Sequence, residues 1–343
     1  MKKLLDPELL KIREMHLSRL ANLYAGKLND YAFVLNGILG HSSKNPYLGP
    51  EIWLEECLES LCQYAEKAKD NVVFRPLVVE YGPYGVHFID RIFGAKVYFY
   101  ENQWWADFLK SPVGTLEYPD LNSDDTWQLA IRAAEAFINS KVTVPLFGLP
   151  TLSSALNVAV NLYGAEFLSS AILSPEAAAH DLKVINDLIC GLHRWYLSKI
   201  PSDQLQPVVA GWRTQPQGYG QLCGCTCHLL SAGMYRDMIA PLDDQLLSVY
   251  PNGGMIHLCG VHTQHIPVWR EMKSLKAIQT NDRASEDLEI YFAELRDDQI
   301  IYLNPTNTMT VERAMEITGG HRIVIVAEVP DPLPVRRDSE KSK

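Results

Sequence analysis

The sequence predicts an α/β protein, a (β/α)8 TIM barrel with an N-terminal helical extension. From residue 207 onward, short apolar segments rich in β-branched residues alternate with amphipathic helical segments, which is the pattern of parallel βαβ units. The chain has 343 residues, which accommodates the roughly 250 residues that such a barrel needs. A doubly wound open sheet is the alternative, but the sequence contains no GxGxxG or Walker motif for its phosphate turn.

Three regions are predicted along the chain. Residues 1–70 are expected to form a helical extension packed on the barrel, and residues 71–330 the barrel itself. Residues 331–343 are charged and broken by prolines, so a flexible tail is expected there. Within the extension, leucines near helical spacing predict amphipathic helices over 7–37 and 51–69.

The strands and helices of the predicted barrel follow in order. Apolar, β-branched runs predict strands over 72–81, 96–105, 141–148, 207–212, 253–260, 275–281, 299–305 and 322–328. Ser174 and Pro175 predict the start of a long helix, because serine is a favoured N-cap and proline suits the first turn. Further helices are predicted over 231–248, 265–272, 284–295 and 309–317. Catalytic groups of such barrels lie where the strands end, so those positions hold the candidate functional residues.

The composition argues against several classes of protein. With 31 Lys+Arg against 41 Asp+Glu, the formal net charge is −10, so neither nucleic acid nor an anionic membrane surface is expected as a partner. No apolar run reaches the ~18–20 residues of a membrane helix, and the first twenty residues carry charges throughout, unlike a secretory signal. We therefore expect a cytoplasmic protein. Its seven cysteines are then reduced thiols and candidate metal ligands.

The sharpest feature is the pair His257 and Cys259 at the end of the predicted strand 253–260. Strand side chains alternate, so the imidazole and the thiol share one face, while Ile256 and Leu258 share the other. One imidazole nitrogen and one thiolate can bind the same zinc ion, and a catalytic zinc takes three protein ligands and keeps one position open. The alternative is a buried cysteine and a hydrogen-bonded histidine on an ordinary strand.

A second feature supplies candidates for the third ligand. Cys223, Cys225 and Cys227 follow the preceding strand, and in an extended chain all three would share one face. Cys225 or Cys227 is therefore expected to complete a His/Cys/Cys set, unless the three thiols only fill a tight loop. Glu328, at the end of the last strand, is another possible ligand. His262 and His265 are either residues that orient a ligand or ordinary residues at a helix start.

Other polar residues lie at predicted strand ends or in the loops that follow. Glu80 and His87 flank a glycine-rich loop and are suited to binding or protonating a substrate. Arg213 lies among aromatic residues, which suits a flat, partly anionic ligand. The candidate catalytic residues are Glu80, His87 and Asp282, and the candidate cofactor-binding residues are Arg213 and Asn281.

Three stretches resemble the uroporphyrinogen decarboxylase superfamily, and within it the corrinoid-dependent methyltransferase branch. They are FGLPTLSSALNVAVNLYGAEFLSSAILSPEAAAHDLKVINDLI (147–189), CHLLSAGMYRDMIAPLDDQLL (227–247) and GGMIHLCG (253–260) with the strands that follow. The resemblance implies a (β/α)8 barrel and a zinc-dependent methyl transfer between a cobalamin on a partner protein and a thiol-type acceptor. His257 and Cys259 match the first two zinc ligands of that branch. Homodimers are also frequent in this superfamily.

The sequence departs from the family pattern in two places. The family has its third ligand, a cysteine, near the end of the last strand, where this chain has Ala327 and Glu328. Either Glu328 or a cysteine from 223–227 is expected to substitute. The decarboxylase itself holds a polycarboxylated porphyrinogen with an arginine-bearing loop, whereas the corresponding stretch here offers only Lys44.

Two other functions stay open at this point. The first is a metal-independent decarboxylase or lyase of the same fold, in which Arg213 binds a carboxylate and Asp282 or His87 moves protons. The second is a corrinoid- or tetrapyrrole-binding protein without catalysis. Metal content and turnover distinguish both from the methyltransferase.

Overall fold

Two parallel β-sheets form the centre of the structure, a computed structural model that describes residues 1–27, 32–207 and 210–327. The strands are β1 Phe33–Leu35, β2 Ile38–Leu39, β3 Leu77–Glu80, β4 Val97–Tyr100, β5 Gln103–Ala106, β6 Leu146–Gly148, β7 Leu205–Gln206, β8 Gly220–Cys223, β9 Gly254–Cys259, β10 Leu275–Asn281, β11 Ile300–Leu303 and β12 Ile323–Val326. The first sheet has six strands in the order β1-β12-β11-β10-β9-β8, and the second has four in the order β2-β3-β6-β7.

The two sheets meet where β1 runs into β2. Leu35 forms a parallel bridge with Phe74, and the Asn36 amide donates to the Phe74 carbonyl at 2.8 Å. At the other edge, no backbone pairing among the described residues joins β7 to β8. The mixed α/β class with parallel sheets is therefore confirmed, and closure into a complete eight-stranded barrel stays a prediction.

Helices connect most consecutive parallel strands. They are α1 Pro7–Tyr24, α2 Pro50–Gln63, α3 Phe88–Ile92, α4 Asp125–Ser140, α5 Ala155–Tyr163, α6 Ala165–Leu173, α7 Pro175–Lys199, α8 Ala210–Arg213, α9 Ala232–Met234, α10 Ala240–Leu247, α11 Ile266–Glu271, α12 Leu288–Glu294 and α13 Val311–Thr318. Short 3-10 turns follow the C-terminal ends of β8, β9 and β10, at Cys225–Leu229, Thr263–His265 and Asp282–Asp287. These three turns build the candidate site.

Several predicted elements are confirmed, because local pattern and tertiary environment agree there. The long helix begins at Pro175, directly after Ser174, and strands β9 and β10 lie within 253–260 and 275–281 as predicted. On β9, Ile256 and Leu258 are fully buried in the main hydrophobic core. Burying two such side chains contributes about 3–6 kcal/mol, which holds the register of this strand.

Three predicted elements differ from the structure. The helix predicted over 7–37 ends at Tyr24. The last part of that range contains strand β1, because the apolar Phe33–Leu35 run pairs with β12. The segment 96–105 is no strand of the parallel sheets. It forms the antiparallel hairpin β4–β5, since Glu101 and Asn102 have positive φ angles of 47° and 65°, as a tight type I′ turn requires.

The strand predicted over 207–212 is also different. The extended residues are Leu205–Gln206, while Ala210–Arg213 is helical, and residues 208–209 lie outside the described part of the chain. Gly37 and Gly211 meet here, where the Gly37 amide donates to the Gly211 carbonyl at 2.9 Å. A Cβ on Gly37 would lie 2.0 Å from that oxygen, so only glycine permits this approach.

No single helix in the described residues is long and apolar enough to cross a membrane. Helices α5 and α6 reach that length and apolarity only when taken together, and they meet at an angle of 112°. Many side chains of this pair, including Leu156, Val158 and Phe167, belong to the main core.

Candidate metal centre

His257 and Cys259 converge at the C-terminal end of β9. The strand alternates as predicted, so these two side chains lie on the face opposite Ile256 and Leu258. The Nε2 atom of His257 lies 3.2 Å from the Sγ atom of Cys259. His257 is buried, whereas Cys259 is partly exposed. The pair thus combines a nitrogen fixed inside the protein with a sulfur that solutes can reach.

Cys225 joins this pair from the neighbouring strand. It opens the 3-10 turn after β8, and one ligand atom from each of Cys225, His257 and Cys259 lies within 4.8 Å of the other two. Two hydrogen bonds donated by backbone amides fix the position of the Cys225–Leu229 turn. The Gly224 amide donates to the His257 carbonyl at 2.8 Å, and the Thr226 amide donates to Asn157 Oδ1 at 3.0 Å.

Gln279 determines which nitrogen of His257 faces the two thiols. The residues are direct partners in the β9–β10 register, and Gln279 Oε1 accepts a hydrogen bond from His257 Nδ1. The Gln279 amide nitrogen in turn donates to Asn304 Oδ1 at 2.7 Å and to the Thr280 carbonyl at 3.1 Å. Because Nδ1 carries the proton, the Nε2 lone pair faces Cys259, which is the usual arrangement of a metal-binding histidine.

The charges of the three groups suit metal binding. The hydrogen bond from the Cys225 thiol lowers the pKa of Cys259, and the side-chain amide of Asn281 lowers it further. The same Cys225–Cys259 hydrogen bond raises the pKa of Cys225, so the first proton leaves Cys259. Burial lowers the pKa of His257, with a smaller contribution from the positive charge of Arg213. The group therefore presents one thiolate, one thiol and one neutral imidazole.

This donor set fits zinc. Tetrahedral coordination with Zn–N near 2.0 Å and Zn–S near 2.3 Å separates a nitrogen and a sulfur ligand by roughly 3.5 Å. The 3.2 Å between His257 Nε2 and Cys259 Sγ is close to that value. One histidine and two cysteines are also a known catalytic zinc set, and three protein ligands leave a fourth position for a substrate atom.

Substituting Gln279 tests the orientation of the histidine. Gln279→Leu removes the acceptor for His257 Nδ1–H, so we expect zinc to bind about 10–100-fold more weakly. Gln279→Glu keeps an oxygen acceptor and should stay near the wild-type affinity. Competition with a chromophoric chelator measures both variants. Equal zinc affinity in Gln279→Leu and wild type would show that Gln279 has no such role.

Cys227 does not belong to the group formed by Cys225, His257 and Cys259. Its Sγ atom is 3.3 Å from His262 Nδ1, and Cys227, His262 and His265 form a separate group whose ligand atoms are mutually within 4.8 Å. Cys223, at the end of β8, is buried with Arg213 Nη1 at 3.9 Å. Of the three clustered cysteines, Cys225 alone is grouped with His257 and Cys259.

Asn281 and Asp282 border the metal-binding group at the end of β10. Asn281 Nδ2 lies 4.0 Å from Cys259 Sγ and donates to Asp282 Oδ2 at 3.1 Å. Asp282 is exposed and has a φ angle of 48°, a left-handed conformation that aspartate tolerates better than most residues. Arg213, by contrast, is only 8% exposed and lies beside Cys223. Its predicted contact with a flat ligand stays a prediction.

His87 belongs to a second polar group, which contacts the same helix α5 that holds the Cys225–Leu229 turn. His87 Nδ1 lies 2.6 Å from Oδ2 of the fully buried Asp90, and Asn161 Nδ2 donates to the same oxygen at 2.9 Å. Burial raises the pKa of Asp90, against the opposing hydrogen bonds of His87 and Asn161. Asn161 is one helical turn from Asn157, which holds the Cys225 turn, so α5 connects the two groups.

Glu80 and Glu328 are the remaining candidate site residues predicted from the sequence. Glu80 ends β3, in the second sheet, and is partly buried. Glu328, the alternative third ligand, lies outside the described residues. Sequence reasoning missed Gln279, Asn157 and Asn161. Of these, Gln279 could have been predicted from the sequence, because it lies two residues before Asn281 on the same strand and so shares its face.

Comparison with solved structures identifies a protein of similar fold. The structure is similar to a methyltransferase from Methanosarcina mazei, with a TM-score of 0.60 over 91% of this chain and 92% of that chain. The sequences are 11% identical, so the similarity establishes a shared fold and no more. No protein-family model and no curated protein matches the sequence.

Proposed function

We propose that this protein is a zinc-dependent methyltransferase that moves a methyl group between a corrinoid on a partner protein and a thiol-type acceptor. The convergence of Cys225, His257 and Cys259 beside the C-terminal ends of two neighbouring strands carries the proposal. The methyltransferase fold of the Methanosarcina mazei protein supports it. Closure of the two sheets into a (β/α)8 barrel, with this group at its mouth, is part of the same proposal.

Each of the three side chains would supply one ligand atom to the metal. His257 Nε2 and the thiolates of Cys225 and Cys259 are the proposed ligands, and Gln279 orients the imidazole. Two thiolates and one neutral imidazole balance the charge of a divalent ion. A zinc ion held there would supply a Lewis acid, which would lower the pKa of the acceptor thiol so that a thiolate could exist near neutral pH.

Methyl transfer also requires a base. Forming the acceptor S–CH3 bond leaves the Co–C electron pair with the corrinoid, and the acceptor's S–H proton must go elsewhere. We assign this proton to His87 Nε2, because Asp90 holds the opposite ring nitrogen at 2.6 Å. The side chain of His87 is 14% exposed, so a bound substrate can reach it. Glu80, Asp282, Arg213 and Asn281 stay candidates for substrate or corrinoid contacts.

Assays with free methylcobalamin and small thiols test the proposal. We expect purified protein to contain about one zinc at this group and to demethylate methylcobalamin only when a thiol is present. Removing zinc with a chelator should abolish the activity, and adding zinc should restore it. Protein that binds no metal at Cys225, His257 and Cys259 would overturn the proposal. Full activity on a small acid after chelation would indicate the lyase, and tight corrinoid binding without turnover the binding protein.

A further inference from the structure

Cys227, His262 and His265 form a second group of thiol and imidazole side chains. Cys227 lies in the middle of the turn that follows β8 and is 2% exposed. His262 and His265 are completely buried, at the start and the end of the turn that follows β9. The Sγ atom of Cys227 is 3.3 Å from His262 Nδ1, and one ligand atom from each residue lies within 4.8 Å of the other two. Three metal-binding side chains thus converge inside the protein, without contributing to the first group.

The hydrogen bonds of the two histidines place a lone pair on the Nδ1 atom of each ring. His262 Nε2 bonds to the Cys259 carbonyl, and His265 Nε2 bonds to the Cys227 carbonyl at 2.8 Å. A carbonyl only accepts, so in both rings Nε2 carries the proton and Nδ1 carries a lone pair. The Cys227 thiol has one proton to share with two such nitrogens. His265 Nδ1 accordingly has no hydrogen-bond partner, although it is buried.

We propose that Cys227, His262 and His265 bind a second metal ion, a thiophilic d10 cation of the Zn²⁺ or Cu⁺ class. A cation would satisfy the thiolate and both lone pairs at once, including the unpartnered nitrogen of His265. Sulfur and imidazole ligands select these ions over hard cations such as Mg²⁺ or Ca²⁺. Each histidine already donates its other ring nitrogen to a backbone carbonyl, as metal-binding histidines generally do.

The surroundings make this a closed, structural site. Tyr235 and Trp269 are fully buried beside the group, with their rings 4.6 Å and 5.8 Å from the ring of His265. The ion would connect the turn that carries Cys225 to the turn that follows Cys259. It would therefore hold two ligands of the first site in place without meeting substrate. Burial also predicts slower removal by chelators than at Cys225, His257 and Cys259.

Metal content after loading with Zn²⁺ or Cu⁺ tests the second site. We expect two equivalents in wild type, one in Cys225→Ser/Cys259→Ser, one in Cys227→Ser and none when all three changes are combined. Cys190→Ser, which alters a buried thiol outside both groups, should keep two. A Cys225→Ser/Cys259→Ser protein without metal would overturn the inference, as would a Cys227→Ser protein with two equivalents.

A second measurement avoids dependence on the folding of Cys227→Ser. The Cys225→Ser/Cys259→Ser protein, which leaves the buried group intact, is titrated with Co²⁺ as a spectroscopic probe. We expect a sulfur-to-cobalt charge-transfer band of the intensity of one thiolate, and its absence would overturn the inference. Because this protein lacks the first site, the result is independent of the proposed methyltransferase function. Loss of metal only in Cys225→Ser/Cys259→Ser would support the first site and contradict the second.

Discussion

Replacing Cys259 by alanine is expected to remove the zinc of the first site and, with it, methyl transfer. Cys259 carries the more acidic thiol of the group, because Cys225 and Asn281 stabilise its thiolate. Its loss leaves one thiol and one imidazole, too few ligands for a stable catalytic site. We expect zinc affinity to fall by more than the ~10–100-fold typical of residues that only orient a ligand.

The measurement compares zinc content and turnover in wild type, Cys259→Ala and Cys62→Ala. Cys62 is also a partly exposed free cysteine, and it belongs to neither metal-binding group. Cys62→Ala should keep both the zinc and the activity. The fold should survive in Cys259→Ala, since the buried side chains of Ile256 and Leu258 hold the strand. Full zinc occupancy of the first site in Cys259→Ala would contradict the assignment of this residue as a ligand.

Replacing Gly254 by alanine is expected to cause a large loss of stability. Gly254 pairs with Gly220 in the parallel register of β8 and β9, where both residues are buried. A Cβ at Gly254 would lie 2.2 Å from the Gly220 carbonyl oxygen and 2.5 Å from its carbonyl carbon. These are backbone atoms, so no rotamer change relieves the clash. We expect the free energy of unfolding to fall by about 3 kcal/mol or more.

Urea unfolding of Gly254→Ala and Gly233→Ala measures this effect. Gly233 lies in the short helix α9, and an added Cβ would meet nothing closer than Ser231 Oγ at 3.9 Å. Alanine is favoured over glycine in a helix, so Gly233→Ala should be neutral or stabilising. Separating β8 from β9 also moves Cys225 away from His257, and Gly254→Ala should therefore bind zinc less tightly. An unchanged free energy of unfolding in Gly254→Ala would contradict the prediction, because the added Cβ would then be accommodated without loss of stability.

Several predictions that rest on local periodicity agree with the structure. Side chains of a strand alternate whatever the strand pairs with, so residues 253–260 were enough to predict that His257 and Cys259 share a face. The start of the long helix at Pro175 is similarly local, because an N-cap and a first-turn proline act within a few residues. The mixed α/β class follows from the succession of such segments.

The grouping of the cysteines could not be predicted in this way. In an extended chain Cys225 and Cys227 would point to the same side, but the chain enters a 3-10 turn at Cys225. With three residues per turn, side chains two positions apart differ in direction by about 240°. Cys225 therefore faces His257, while Cys227 faces His262. The turn itself depends on contacts with Asn157 on α5, a helix distant in sequence.

The sequence by itself thus determined the mixed α/β class and the shared face of His257 and Cys259, because strand and helix periods are properties of a few neighbouring residues. Only the tertiary structure decided that Cys225 meets them, that Gln279 orients His257, and that Cys227 turns to His262 and His265. It also ended the first helix at Tyr24, so that residues 33–35 could pair with β12. These outcomes depend on which strands become neighbours and in what register, and such pairings join residues far apart in the chain.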